Sequence, residues 1–203
     1  MTERADGPLF VSTQVNTMHK WMMAAVCGLL ILTAQAQEPL PPQGQDTNTE
    51  QRLRDYFFGA ARRGDEAMLK TFIQAGYNLD TPDEKGYTGL ILAAYHGQQA
   101  AVEQLLAAGA DPCAQDKRGN TALMGAIFKG EVRIARRLID ATCNPDQRNG
   151  AGQTAAMYAV MFQRKELLDA LTAHGADIEA TDALGNSVQS LQQGELNGVS
   201  AQR

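Results

Sequence analysis

A repeat of 33 residues constrains this chain more than any other feature of its sequence. Four glycines stand 33 residues apart, and four hydroxyl residues stand two positions after them: Gly86, Gly119, Gly152 and Gly185, then Thr88, Thr121, Thr154 and Ser187. Three further columns keep the same register: Asp83, Asp116, Asn149 and Asp182; Gly64, Gly97 and Gly130; and Gly76, Gly109 and Gly175, with Thr142 as the exception in this last column. A period of this length indicates stacked copies of one structural unit, so we predict a solenoid of about four units.

Each unit has the spacing of two short helices. In the third unit, two apolar stripes at i, i+3 and i+4 (or i, i+4 and i+5) mark them: Leu123, Ala126 and Ile127, then Ile134, Leu138 and Ile139. Thr121 and its equivalents are placed to cap the first helix, because a hydroxyl oxygen can accept a hydrogen bond from a backbone N–H one turn on. Gly109 and Gly175 are placed to end the second helix, where a left-handed residue is needed.

The units at 87–119, 120–152 and 153–185 resemble the ankyrin repeat, whose pattern is a Thr-Pro-Leu-His-like start, a paired Ala, a central Gly and a Gly-Ala-Asp ending. The Pro of that pattern is replaced here by Gly89, Ala122 and Ala155. Its His is replaced by Ile91, Met124 and Met157. The resemblance implies an all-α ankyrin-repeat solenoid of helix-turn-helix repeats with short hairpin loops.

Two end units bound the predicted repeat domain, which we place at 50–193. The first repeat, at about 53–86, has these residues in core positions: Phe57, Ala60, Ala61, Leu69, Phe72 and Ile73. A half-repeat cap follows at 186–193, and we expect a disordered tail at 194–203. The polar side chains of the first unit suit an end unit with one solvated face.

The N-terminal segment has the pattern of a secretory signal. Residues 18–36 contain Lys20, an apolar run from Trp21 to about Leu32, and a small-x-small ending at Ala36. We therefore expect residues 1–36 to be an N-terminal extension and signal peptide, cleaved after about Ala36, with translation starting either at Met1 or at Met18. The Pro- and Gln-rich residues 37–49 are expected to be a disordered linker. The expected location is the periplasm, and an uncleaved inner-membrane anchor is the alternative.

Composition excludes several classes of function. The formal net charge is −5 and no basic block is present, so nucleic acid is a poor candidate partner. No His, Cys and Asp cluster has metal-ligand spacing, and no nucleophile stands in a recognisable turn. We expect no enzyme activity, no cofactor, no metal and no small-molecule substrate. We also expect a monomer in which His174 ends a helix and the Asp83-Glu84 pair is solvated at a hairpin tip.

Cys113 and Cys143 are the two cysteines that remain after signal removal. Thiols in an oxidising compartment often pair. The two lie in adjacent repeats, whose backbones run about 10 Å apart, whereas a disulfide needs Cα atoms within about 7 Å. Their offset of three positions in the register could shorten or lengthen that gap, so a disulfide and two free thiols both stay open.

The register also separates core residues from a surface column on the first helices. If Ile127 faces the stack, its neighbours Phe128 and Lys129 face the inside of the curve, which is the usual binding surface of a solenoid. With the hairpin tips, this surface defines a docking strip of eleven residues: Arg62, Arg63, Tyr87, Tyr95, His96, Lys117, Arg118, Phe128, Lys129, Met161 and Phe162. Aromatic, Met and Arg side chains are enriched at interface centres. The alternative is that these residues pack on one another and are half buried.

The predicted function is protein binding through the docking strip. The resemblance to small exported bacterial ankyrin proteins implies two further roles. One is support of a periplasmic catalase in peroxide resistance, and the other is immunity against a toxin that acts in the periplasm. A chaperone-like holder of apolar segments is a further alternative, and the residues themselves do not identify the partner.

Overall fold

The computed structural model describes residues 44–195. The predicted signal peptide, the first part of the linker and the last eight residues lie outside that range. The described part contains nine α-helices, numbered α1 to α9 in chain order: Gly44–Arg63, Glu66–Gln74, Gly89–Tyr95, Gln99–Ala107, Ala122–Lys129, Val132–Ile139, Ala155–Met161, Lys165–Ala173 and Val188–Gln193. None of the described helices has the length and apolar content needed to span a membrane.

The helices pair as the 33-residue period predicts. Each unit is an antiparallel pair, α1 with α2, α3 with α4, α5 with α6 and α7 with α8, and α9 is the half-repeat cap. First helices contact the first helices of neighbouring units, and second helices contact second helices, so each unit packs on the next. Across residues 44–195 the β-structure consists of two isolated bridges at hairpin tips. The prediction of an all-α repeat solenoid is confirmed.

The first helix begins earlier than the sequence indicates. We placed residues 44–49 in the linker, but α1 starts at Gly44. The side chains of residues 48–50 are exposed, so this turn extends the helix without packing on the core. Residues 44–52 contain no proline and are mainly polar, and a helix that has been nucleated downstream can continue through such residues at low cost.

Hydroxyl side chains cap the first helices as expected. The Oγ1 atoms of Thr88, Thr121 and Thr154 accept from the backbone N–H three residues on, at 3.3, 3.3 and 3.4 Å. Ser187 does the same for α9 and forms a reciprocal capping box with Ser190. These four caps fix where α3, α5, α7 and α9 start, and thereby which of their side chains point away from the core.

One replacement in the repeat pattern has a steric cause. Phe57 of α1 is fully buried, and a Cβ atom placed on Gly89 would lie 2.6 Å from its Cζ atom. Such a distance is far below van der Waals contact, so only glycine fits against the ring at the start of α3. The core residues predicted for the first unit are buried, apart from Ile73, which is partly buried, and Phe58 joins them at 4% exposure.

The hairpin tips are held by side chains rather than left free in solvent. The Asp83 carboxylate accepts from the backbone N–H groups of Lys85 and Tyr87 at 2.8 and 2.9 Å, and its side chain is 16% exposed. The expectation that Asp83 is solvated is therefore wrong, although Glu84 is exposed. Neighbouring tips are joined as well, since the backbone N–H of Lys117 donates to the Lys85 carbonyl at 3.0 Å.

Loops that follow the second helices are joined by a repeated hydrogen bond. The Asp80 carboxylate accepts from the backbone N–H of Asp111 at 2.8 Å, and Asp146 accepts from Asp177 at the same distance. Cys113 occupies the equivalent position in the unit between them. A carboxylate is missing there, so this hydrogen bond cannot form between the second and third units.

A disulfide takes the place of that hydrogen bond. Cys113 and Cys143 are bonded, with their Cα atoms 5.6 Å apart. After α4, Gly109 has a φ of 89° and the N–H of Ala110 donates back into the last turn of the helix. After α6, Thr142 replaces this glycine, and the N–H of Cys143 donates instead to the neighbouring Ala141 carbonyl. The disulfide therefore fastens the one loop that lacks the glycine ending.

Candidate functional site

The three consecutive residues at the end of α5 point in different directions. Ile127 is fully buried, whereas Phe128 is 44% exposed and Lys129 is exposed. Consecutive side chains on a helix lie about 100° apart, and the cap at Thr121 sets which of them meets the core. The structure thus places Phe128 and Lys129 on the surface, beside their equivalents from neighbouring units.

Aromatic rings from three successive units form one continuous group on this surface. The Tyr95 and Phe128 rings stack with their centroids 6.0 Å apart, and the Phe128 and Phe162 rings meet edge to face at 4.9 Å. Tyr158 continues the group, with its centroid 5.7 Å from that of Phe162. We call Tyr95, Phe128, Phe162 and Tyr158 the aromatic row.

The sequence left two arrangements open for these residues, an exposed docking surface and side chains that pack on one another, and the aromatic row combines both. Its rings pack on one another at distances typical of favourable aromatic pairs. They also stay accessible, since Tyr95 is 38% exposed and Phe162 and Tyr158 are partly buried. Met161 adds an exposed thioether, whose sulfur lies 3.6 Å from Nε2 of Gln153. Mutual packing orders these side chains and leaves an apolar surface in contact with solvent.

Tyr158 is the member of the row that sequence reasoning missed. Its hydroxyl donates to Oδ1 of Asn120 at 3.0 Å and accepts from Nδ2 of Asn149 at 3.2 Å, which ties α7 to two hairpin tips. Burial raises the pKa of Tyr158 above its ordinary value, and the hydrogen bond from Asn149 opposes this rise. The spacing of four residues between Tyr158 and Phe162 was the signal available in the sequence, because i and i+4 share a helix face.

Basic residues of the docking strip lie at the Tyr95 end of the aromatic row. Nζ of Lys129 lies 5.2 Å from the centroid of the Tyr95 ring, within the range of a cation–π contact. The His96 ring lies edge-on to the Tyr95 ring at 5.5 Å. Nη2 of Arg62 lies 3.6 Å from the Asp83 carboxylate, and Arg63 is exposed. The strip therefore carries apolar surface in its centre and positive charge at its side.

Two of the three tip residues project as predicted, and one does not. Lys117 and Arg118 are exposed. Tyr87 is partly buried and packs against the hydrophobic core, so the expectation that it projects is wrong. Asp83 draws the N–H of Tyr87 inward, which turns its side chain toward the body of the repeat.

A groove of about 510 Å³ opens at the first-unit end of the strip, which we call the end groove. Its floor is apolar and consists of the buried residues Phe58, Ile91 and Leu92. Tyr87 and Tyr95 line it as well. Polar and charged residues complete the lining: Gln51, Arg54, Asp55, Arg62, Asp83, Glu84, Lys85 and His96. Because Tyr95 belongs to both features, the end groove continues the aromatic row.

His174, which the sequence also singled out, makes contacts at the end of a helix. His174 follows α8, and its Nδ1 lies 2.8 Å from the Ala170 carbonyl, as expected for a residue that ends a helix. Its Nε2 also lies 3.2 Å from the Asp140 carboxylate. In residues 44–195, no group of three or more His, Cys, Asp or Glu side chains is arranged to hold a metal ion.

Comparison with protein families agrees with the repeat register. The family of ankyrin repeats matches in three overlapping copies, at residues 22–116, 57–149 and 90–182. Together these matches extend over most of the chain. A search of curated proteins finds no match to it.

Proposed function

Since the chain belongs to the ankyrin-repeat family, whose members are protein–protein interaction modules, we propose that it binds a partner protein through its docking strip. One observation carries this proposal. The aromatic row crosses three units and leaves ordered rings in contact with solvent. Aromatic side chains at the centre of an interface supply most of its binding energy, and ordering them before binding lowers the entropic cost of association.

We further propose that binding takes place in the periplasm. The residues 18–36 have the order of a secretory signal, and the Cys113–Cys143 disulfide suits an oxidising compartment. The resemblance to small exported bacterial ankyrin proteins makes a periplasmic catalase the first partner to test. A toxin that acts in the periplasm is the second.

The experiment compares three forms of the protein in affinity capture from periplasmic extract: the parent, Phe128→Ala combined with Phe162→Ala, and a control combining Met68→Ala with Ile178→Ala. The control removes exposed apolar side chains from α2 and from the loop after α8. Truncating two interface anchors should weaken binding by about 1 to 4 kcal/mol for each anchor. We expect the parent and the control to retain one partner protein that the aromatic variant loses. We also expect the protein itself to be recovered from the periplasm with Gln37 as its first residue.

Affinity and melting temperature measured on the purified pair decide between the alternatives. If the aromatic variant binds as tightly as the parent and melts at the same temperature, the docking strip is not the site. A chaperone-like holder would instead bind many unfolded proteins with micromolar affinity. A folded partner would then not displace these unfolded proteins from the docking strip.

A further inference from the structure

The end groove offers two kinds of contact side by side. Its floor of Phe58, Ile91 and Leu92 is apolar, and none of these three side chains is more than 5% exposed. Its volume lies within the range of about 300 to 1,000 Å³ that is usual for sites that enclose a ligand. A large aliphatic or aromatic side chain fits such a floor, because it would exchange water contact for apolar contact.

Arg54 supplies an unused charge at the edge of this floor. A guanidinium has five N–H donors. In the described part of the chain, Arg54 uses one of them, from Nη2 to Oε1 of Gln51 at 2.5 Å, and its Nε is buried with no hydrogen-bond partner. No carboxylate of residues 48–195 lies within 4.0 Å of the group. Because Nε is enclosed by the protein, an acceptor brought by a ligand would meet the Nη donors that Gln51 does not use.

The acidic residues of the groove are committed to other contacts or stand at its edge. Asp83 holds the tip through two backbone N–H groups and faces Arg62. Asp55 accepts from Nε2 of Gln51 at 3.1 Å, and Glu84 is exposed on the tip. Lys85, which also lines the groove, has no ion pair among the described residues. The groups left to meet a ligand are thus an apolar floor, the cations of Arg54 and Lys85, and the exposed carboxylate of Glu84 at the edge.

We propose that the end groove receives an acidic and apolar segment of the partner protein. A large apolar side chain lies on the floor of Phe58, Ile91 and Leu92, and a neighbouring carboxylate binds the guanidinium of Arg54. A bidentate carboxylate would satisfy donors that the fold leaves unpaired. This inference rests on the proposed function, because the segment belongs to the protein that the aromatic row binds.

A labelled peptide of ten residues tests the inference on the full chain, with four glutamates around a central Trp-Leu pair. One control peptide has glutamine in place of every glutamate, and another has Ser-Ser in place of Trp-Leu. Binding is measured by fluorescence anisotropy to the parent, to Arg54→Gln, and to Arg133→Gln, which removes an exposed cation of α6. We expect the acidic peptide to bind the parent and the Arg133 variant alike, and to lose about tenfold or more in affinity with Arg54→Gln and with either control peptide.

Any of the following results would overturn the inference. The first is equal binding of the glutamate and glutamine peptides, which would indicate a general apolar holder. The second is unchanged affinity with Arg54→Gln at an unchanged melting temperature, or no binding at millimolar protein. The third is displacement of the peptide by N-acetyltryptophan at a concentration equal to that of the peptide, which would indicate a small-molecule site. If the Phe128 and Phe162 variant loses the captured partner while Arg54→Gln retains it in full, the proposed function holds and the end groove is not part of it.

Discussion

At the scale of single residues, burial in this chain is decided by rotation around a helix rather than by hydrophobicity. Ile127 and Phe128 are both apolar and adjacent, yet one is fully buried and the other is 44% exposed. The cap at Thr121 starts α5 at Ala122 and so fixes the direction of every later side chain in it. The exposed Phe128 therefore supports the proposed binding surface, because Ile127 already makes the core contact at this end of the helix.

Asp182 illustrates how one side chain sets a hairpin tip. Burial acts to raise the pKa of Asp182, but hydrogen bonds from the Asn186 side chain and from the backbone N–H groups of Asn186 and Leu184 outweigh it and lower that pKa below its ordinary value. A carboxyl whose pKa is lower in the folded state stabilises the fold above its unfolded pKa of about 3.9. That contribution is lost as the pH falls through the folded pKa.

Asp182→Asn should remove this acid-dependent contribution and keep the turn. Asn149 already makes the same two backbone contacts in the third unit, at 3.0 and 2.9 Å, so an amide oxygen can hold a tip of this geometry. We expect the parent to melt at a higher temperature than the variant at pH 6, and the difference to shrink between pH 4 and pH 2.5. Circular dichroism at a series of pH values measures it. A difference that stays constant over this range would contradict the assignment.

At the scale of elements, the second, third and fourth units each begin with a capped helix, and the loop after each second helix contacts the neighbouring unit. The four hydroxyl caps are alike, and so are the carboxylate bonds from Asp80 and Asp146. Elements of seven to nine residues such as α3 to α8 are too short to be stable alone, and packing on neighbours supports them. The caps matter because a short helix has few internal hydrogen bonds, and each cap gives an acceptor to one of the N–H groups that lack a partner in the first turn.

Thr121→Ala should destabilise the chain through α5. Removing the hydroxyl leaves the backbone N–H of Met124 without its acceptor, in a turn where Thr121 is 6% exposed. We expect a loss of about 1 kcal/mol in the free energy of unfolding, measured by urea denaturation. Thr121→Ser keeps the acceptor and is the matched control, so equal stability of the alanine and serine variants would show that the cap contributes little.

At the scale of the whole molecule, stability depends on contacts between successive units. The loops after the second helices are joined by a carboxylate hydrogen bond at two of these junctions. At the junction between the second and third units they are joined by the disulfide and by a hydrogen bond from Nε2 of Gln147 to the Cys113 carbonyl at 2.9 Å. The disulfide closes a loop with a sequence separation of 30 residues. A disulfide that closes a loop of this length lowers the chain entropy of the unfolded state, and so stabilises the fold by about 3 to 4 kcal/mol.

Reducing the disulfide should therefore lower stability, and restoring the repeat pattern should compensate. We expect Cys113→Ser with Cys143→Ser to melt well below the oxidised parent. A second variant combines Cys113→Asp, Thr142→Gly and Cys143→Ala, which are the residues found at these positions in the neighbouring units. It should recover part of the lost stability and be insensitive to reductant in calorimetry. If both variants melt at the same temperature, the disulfide does not substitute for the missing carboxylate bond.

The sequence alone determined the period, the starts of α3, α5 and α7, the all-α class and the side of α5 on which Phe128 lies. These properties depend on spacing within one unit, which every copy repeats, so a register read from glycines and hydroxyls was sufficient. The docking strip follows from the same register, and its role in binding stays a prediction. The start of α1 at Gly44 was missed because an exposed polar helix has no periodic apolar signal.

Only the tertiary structure decided the features that depend on distances between units. The register placed Cys113 and Cys143 in adjacent repeats, but it could not say whether the loop without its glycine approaches to 5.6 Å. It did not show that Tyr158 joins the aromatic row, that Tyr87 turns inward, or that Arg54 borders an apolar floor. Side chains from different units meet there, and the fit between them depends on rotamers and packing that no single repeat encodes.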